Sequence, residues 1–124
     1  MKTARTLPVV ALRGSPREQG RQHGEALRDL IHHNVDLYLR RFLTDARLSR
    51  EEVERRAAAY LQVFTRESPP YRETMDGIAE ASGLALLQIA MLNARYEILY
   101  SAYSAIGMAE AEGDRKSTRL NSSH

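Results

Sequence analysis

From Pro16 to about Leu43 the residues Leu27, Ile31, Val35, Tyr38 and Phe42 recur at steps of three and four, flanked by Leu30 and Leu37, while Arg28, Asp29, Asp36, Arg40 and Arg41 fall largely on the other side. That period predicts one long amphipathic helix. Asp45 to Leu48 reads as a connector. Val53, Ala57, Tyr60, Leu61 and Phe64 then mark the buried side of a second helix ending near Glu67, where Ser68-Pro69-Pro70 stops it. Tyr71 to Ser82 predicts a third helix with Met75, Ile78 and Ala79 inward and Gly83 as its C-terminal glycine. Leu84 to about Tyr100 is apolar nearly all round until Asn93, which predicts a buried fourth helix. Ser101 to Gly113, rich in Ala, Ser and Gly, is expected to be a loop. Before the helices, Leu7 to Leu12 reads as one short strand, and Pro8, lacking a ladder donor, fits a sheet edge or the first strand residue better than a central strand. A lone strand cannot satisfy its own backbone, so it asks for a partner sheet. Met1 to Thr6 is polar and reads as a disordered start. The predicted class is mainly α, with about four helices and one N-terminal edge strand.

The first helix has a strong start. Ser15 can accept from the amide of Glu18 while Glu18 reaches back to Ser15, and Pro16 occupies the first helical position, where no donor is needed. Behind this cap, Gly20, His23 and Gly24 lie within about one turn of each other. Glycine in a helix interior costs about 0.5 to 1 kcal/mol against alanine, so two of them four apart imply the close approach of another element. Gly14 to Gly24 therefore predicts a docking edge, with His23 supporting a backbone group of whatever docks.

Composition narrows the remaining possibilities. The chain of 124 residues has 18 Lys and Arg against 16 Asp and Glu. Asp114 to His124 reads as a translated sequencing-adapter oligonucleotide, a non-native tail that leaves Met1 to Gly113 as the native part, with Leu7 to Gly113 its folded portion. Without its three basic residues and one acidic residue, 15 of each sign remain, a net charge of zero. That balance argues against nucleic acid as a partner. Arg40-Arg41 and Arg55-Arg56 read as solvated faces with no aromatic interleaving. Cysteine is absent, which excludes a disulfide framework and a thiol nucleophile within these residues. No secretory apolar region precedes Leu7 and no apolar run reaches the roughly 18 to 20 residues that span a bilayer, so the expectation is a cytoplasmic protein without a membrane partner.

Candidate chemistry is sparse. His32 and His33 are adjacent and point about 100° apart on a helix, so they do not chelate one ion readily, and they read as solvated surface histidines. No metal and no cofactor is expected. Asn93, Arg95 and Glu97 follow a strongly apolar run. Burying a guanidinium without a partner is costly, so Arg95 is expected to find a carboxylate or several carbonyls, with Glu97 the nearest candidate if the local backbone is not helical.

The order G-x-P-x-E-x-G-x-x-H-G over Gly14 to Gly24, after a short apolar strand, resembles the beginning of peptidase family C45. These are the acyl-coenzyme A:6-aminopenicillanic acid acyltransferase-like members of the N-terminal nucleophile hydrolases. Met75 to Gly83 and Leu92 to Ile98 resemble the two segments that precede the nucleophile in that family, so the resemblance covers Leu7 to about Gly113. It implies a parent αββα sandwich made as an inactive precursor and cut just before a cysteine expected shortly beyond Gly113. It further implies that this thiol, activated by the new α-amino group with its pKa of about 7.7 to 8, forms a thioester acyl-enzyme from an amide or acyl-coenzyme A substrate. An oxyanion hole would stabilise the tetrahedral intermediate. Asn93, Arg95 and Glu97 would then support the active centre, and Gly14, Pro16, Glu18, Gly20, His23 and Gly24 would form a structural motif. The natural partner would be the C-terminal catalytic part of the same precursor, and this part alone would be inert. The alternative is a self-contained helical binding module, which should close its own core where a subunit fragment would leave much of Leu84 to Tyr100 exposed.

Overall fold

The computed structural model describes the backbone of residues 11–121 and side chains as far as 115. Among the described residues the chain is mainly helical, with no strand: α1 (Pro16–Ala26), α2 (Arg28–Thr44), α3 (Arg50–Glu67), α4 (Pro69–Ser82), α5 (Leu86–Asn93) and α6 (Arg95–Asn121). The expected strand falls mostly outside the described residues, as does the expected disordered start. Ala11 and Leu12, its last two residues, are irregular.

Local signals place the caps. Ser15 Oγ accepts from the Glu18 amide at 3.2 Å, the Glu18 carboxylate returns to Ser15, and Pro16 takes the first turn. Ser49 caps α3 through the Glu52 amide at 3.0 Å, but the Glu52 carboxylate turns to Arg55 and Arg56 instead of closing the box. Pro69 and Pro70 end α3 and also form the first turn of α4, which starts two residues earlier than expected because proline is tolerated there. Gly83 closes α4 in the left-handed conformation, φ 77°.

Two expected long helices are broken and one expected loop is helical. The predicted first helix divides at Leu27, φ −114° and ψ 24°, into α1 and α2. Neither glycine nor proline sits at the break. It separates a segment bound through glycines from one bound through Ile31, Val35 and Phe42. The predicted Leu84–Tyr100 helix divides at Ala94, φ −99° and ψ 15°, into α5 and α6. Ser101 to Gly113, expected as a loop, continues α6, which runs on past Gly113. Alanine is the best helix former, and its frequency here outweighs the glycines.

Phe42, Met75, Ile89, Ile98, Val35 and Val53 are the largest fully buried apolar side chains, contributed by α2 through α6. Apolar burial contributes about 25 cal/mol per Å² removed from water, so this shared cluster is the main force holding α2 to α6 together. Leu30 and Leu37, on the rim of the α2 stripe, stay exposed at 46% and 37%. No helix of the described residues is long and apolar enough to cross a membrane.

Candidate functional site

Two places in this bundle gather the residues singled out in the sequence. The first is the seam between α1 and α4. A Cβ built on Gly20 would lie 2.1 Å from the Thr74 carbonyl oxygen, and one on Gly77 would lie 2.2 Å from that of Arg17. On Gly24 it would lie 2.8 Å from the Ile78 oxygen. The two backbones are thus in direct contact, and the element that docks on the glycine edge is α4. Charged side chains border the contact: Arg17 bonds Glu80 and reaches Glu73 at 3.3 Å, and Arg21 reaches Glu80 at 3.1 Å. The Glu80 carboxyl is held below its ordinary range, first by the hydrogen bond from Arg17. Ahead of α1, the Gln22 side-chain amide accepts from the Arg13 N–H at 3.0 Å and donates to the Arg13 carbonyl at 2.9 Å. Gly14, φ 97°, lies under the Glu18 carboxylate. His23 is half-buried in the last turn of α1, with no side-chain hydrogen bond among the described residues.

The free end of α4 is met by α2. Nε2 of His32 lies 2.7 Å from the Ser82 carbonyl and Arg28 donates to the Ala81 carbonyl at 3.2 Å, so both satisfy carbonyls that the ending helix leaves open. His32 is therefore not a solvated residue as expected; a carbonyl from another helix takes it up. The Ser82 hydroxyl faces the Ala79 carbonyl and the Leu84 amide, not the imidazole, so this Ser and His form no nucleophile and base pair. His33 remains exposed. Among the described residues no group of acidic and histidine side chains is placed to hold a metal.

The second place is the α5–α6 junction. Asn93 closes α5, its Nδ2 on the Ile89 carbonyl at 2.9 Å and its Oδ1 accepting from the Tyr71 hydroxyl. Burial pushes the Tyr71 phenol up. Arg95 donates to the Leu92 carbonyl at 2.8 Å, and its guanidinium lies 5.4 Å from the Tyr38 ring centre and 4.7 Å from that of Tyr96. Tyr38 and Tyr96 meet edge to face at 6.4 Å. The expected Arg95–Glu97 pair does not form, because both residues are in the first helical turn of α6, where side chains two apart do not face each other. Glu97 is exposed. Aromatic faces and a carbonyl compensate the cation instead.

Sequence reasoning missed Tyr38, Tyr71 and Tyr96 as partners of this junction. Their spacing carried no signal, since two come from α2 and α4. A further apolar cleft of about 190 Å³ lies between α2, α3 and α5, lined by Leu39, Val53, Ala57, Leu87 and Met91, with Arg50, Glu54 and Gln88 around them. It is smaller than the usual range of ligand pockets, about 300 to 1,000 Å³. No protein-family model matches the chain.

Proposed function

We propose that this chain is the N-terminal, α-subunit-like part of a cysteine-dependent N-terminal nucleophile hydrolase of the C45 type, an acyltransferase or amidohydrolase working through a thioester acyl-enzyme. One observation carries the reading. The segments Gly14–Gly24 and Met75–Gly83, which bear the resemblance separately along the sequence, are packed against each other through Gly20, Gly24 and Gly77. Each motif thus has a reason to keep its small residues in the presence of the other. In this reading the parent is an αββα sandwich whose sheets and nucleophile come from the C-terminal part of the precursor. The α5–α6 junction, with Asn93, Arg95 and Glu97, would lie toward the active centre.

The coding DNA beyond the codon for Gly113 tests this directly. A cysteine within a few codons, and cleavage immediately before it when the uninterrupted frame is expressed and its products are weighed by mass spectrometry, is the expected result. A frame continuing with no Cys, Ser or Thr able to become a new amino terminus overturns it. The chain itself has no cysteine and should show no amidase or acyltransferase turnover.

A second reading, a self-contained helical binding module, is favoured by a different observation. Ile89, Ala90, Met91, Ala94, Ile98 and Leu99 are buried, so the apolar segment expected to lie open in a fragment is covered by the chain's own helices. A cooperative unfolding transition of the isolated monomer, together with a frame that lacks a nucleophile, would decide for it.

A further inference from the structure

Arg95 is a half-buried cation whose partners among the described residues are two rings and one carbonyl, with no carboxylate in ion-pair reach. A guanidinium has five N–H donors, and the one hydrogen bond of Arg95 goes to the Leu92 carbonyl, so most of its donors are unspent. Arg41 reaches the same Tyr38 ring at 5.5 Å, bringing a second positive charge to one aromatic side chain. The carboxylate beside Arg41 is that of Asp45, 3.8 Å away and 53% exposed, too open to neutralise both cations. Phenols lie near the cations: that of Tyr103 raises the Arg41 pKa, and the Tyr96 pKa is lowered, first by Tyr38 and then by Arg95. Tyr96 and Tyr103 are 64% and 40% exposed, so the group is open to solutes.

We propose that the seam between α2 and the first turns of α6 binds a small oxyanion, a carboxylate or a phosphate, between Arg41 and Arg95 with the Tyr96 and Tyr103 hydroxyls at its edge. The chemistry is that of the guanidinium fork. It is planar, permanently charged and matched to two oxygens of one oxyanion. Stacking on Tyr38 and Tyr96 fixes the fork of Arg95 in advance, which lowers the ordering cost of binding. Partial burial strengthens each hydrogen bond to the anion relative to open water. This site is independent of the family reading and stands or falls separately from it.

Calorimetric titration of the whole chain with inorganic phosphate, and separately with acetate, at ionic strength held constant with sodium chloride, tests the site. Saturable one-to-one binding of at least one anion is expected. Phosphate alone would identify a phosphoryl ligand, acetate alone a carboxylate, and both a site that reads the shared oxyanion. Arg41→Gln and Arg95→Gln should each weaken binding about tenfold, the loss of a charge-assisted hydrogen bond. Arg95→Lys, which keeps the charge and loses the fork, should fall between. Should Arg95→Gln lose its helical circular dichroism, Arg41→Gln carries the test, since that side chain is 41% exposed. No saturable binding of either anion up to roughly 10 mM, or binding unchanged in the folded Arg variants, overturns the proposal.

Discussion

Gly20 and Gly77 face each other across the α1–α4 seam so closely that the Cα of Gly77 lies 3.1 Å from where a Cβ on Gly20 would be. The same added atom would be 2.1 Å from the Thr74 carbonyl oxygen, a backbone group that cannot swing aside. Two helices therefore meet backbone to backbone, and the cost of glycine in a helix is offset by the contact that only glycine permits.

Gly20→Ala and Gly77→Ala should each destabilise the protein by roughly 1 to 3 kcal/mol, the usual range for forcing a carbon into a packed contact. Gly107→Ala should do the reverse. Beyond its chain neighbours and its own helix backbone, no heavy atom lies within 4 Å of the new Cβ there, so the gain in helix propensity, about 0.5 to 1 kcal/mol, is unopposed. Denaturant unfolding of the three variants gives the comparison, and equal effects at Gly20 and Gly107 would remove the close-contact account of the seam.

The carbonyl of Ser82 only accepts, so the His32 ring must carry a hydrogen on Nε2. Long-range nitrogen–proton NMR correlations should show that arrangement. His32→Ala should cost about 0.5 to 1.5 kcal/mol, the net value of one hydrogen bond. The same substitution at exposed His33 should stay within about 0.5 kcal/mol, as at most surface positions. A ring protonated on Nδ1 alone would contradict the contact.

Glu52 is held at a pKa of about 2, first by its hydrogen bond to Arg55 and then by that to Arg56. Its folded value is thus below the ordinary 4.5, so its contribution to stability is complete above about pH 4.5 and is lost as the pH falls toward 2. Titration of the Glu52 side-chain carbon by NMR should show the low midpoint. Glu52→Gln should flatten the acid limb of the stability curve over that interval. A midpoint near 4.5 would mean that the two arginines do not hold the carboxylate in solution.

α6 is buried at Ile98, Leu99 and Ala102, whereas from Gly107 to Arg115 every residue is exposed. Amide hydrogen exchange should follow this division. Protection should approach the global unfolding value around Ala102 and fall toward zero past Gly107, because helical hydrogen bonds without tertiary cover open locally. Uniform strong protection through Arg115 would point to a covering contact made in solution, such as self-association.

Features governed by neighbours in sequence were legible in advance. The Ser15–Glu18 box and the Gly83 terminus need only a side chain within reach or a residue without a Cβ, and both formed where expected. The paired glycines of α1 also announced that something must approach, but not that it would be α4. Arg95 shows the limit most clearly: the need for compensation was visible, yet its partners, Tyr38 and Tyr96, are set by how α2 crosses the start of α6. The breaks at Leu27 and Ala94 have no local marker, and the Ala-rich stretch after Tyr100 is helical, not a loop, because alanine propensity outweighs its Gly and Ser content.

By itself, then, the sequence determined the helical character of the described chain, its principal caps and the apolar stripes that must be buried, since each depends on side chains a turn or less apart. The tertiary structure decided where the long helices bend, which backbone fills the glycine edge, and that aromatic rings rather than Glu97 accompany Arg95. Those outcomes depend on contacts between residues far apart in the chain, and no local period encodes which distant partner wins.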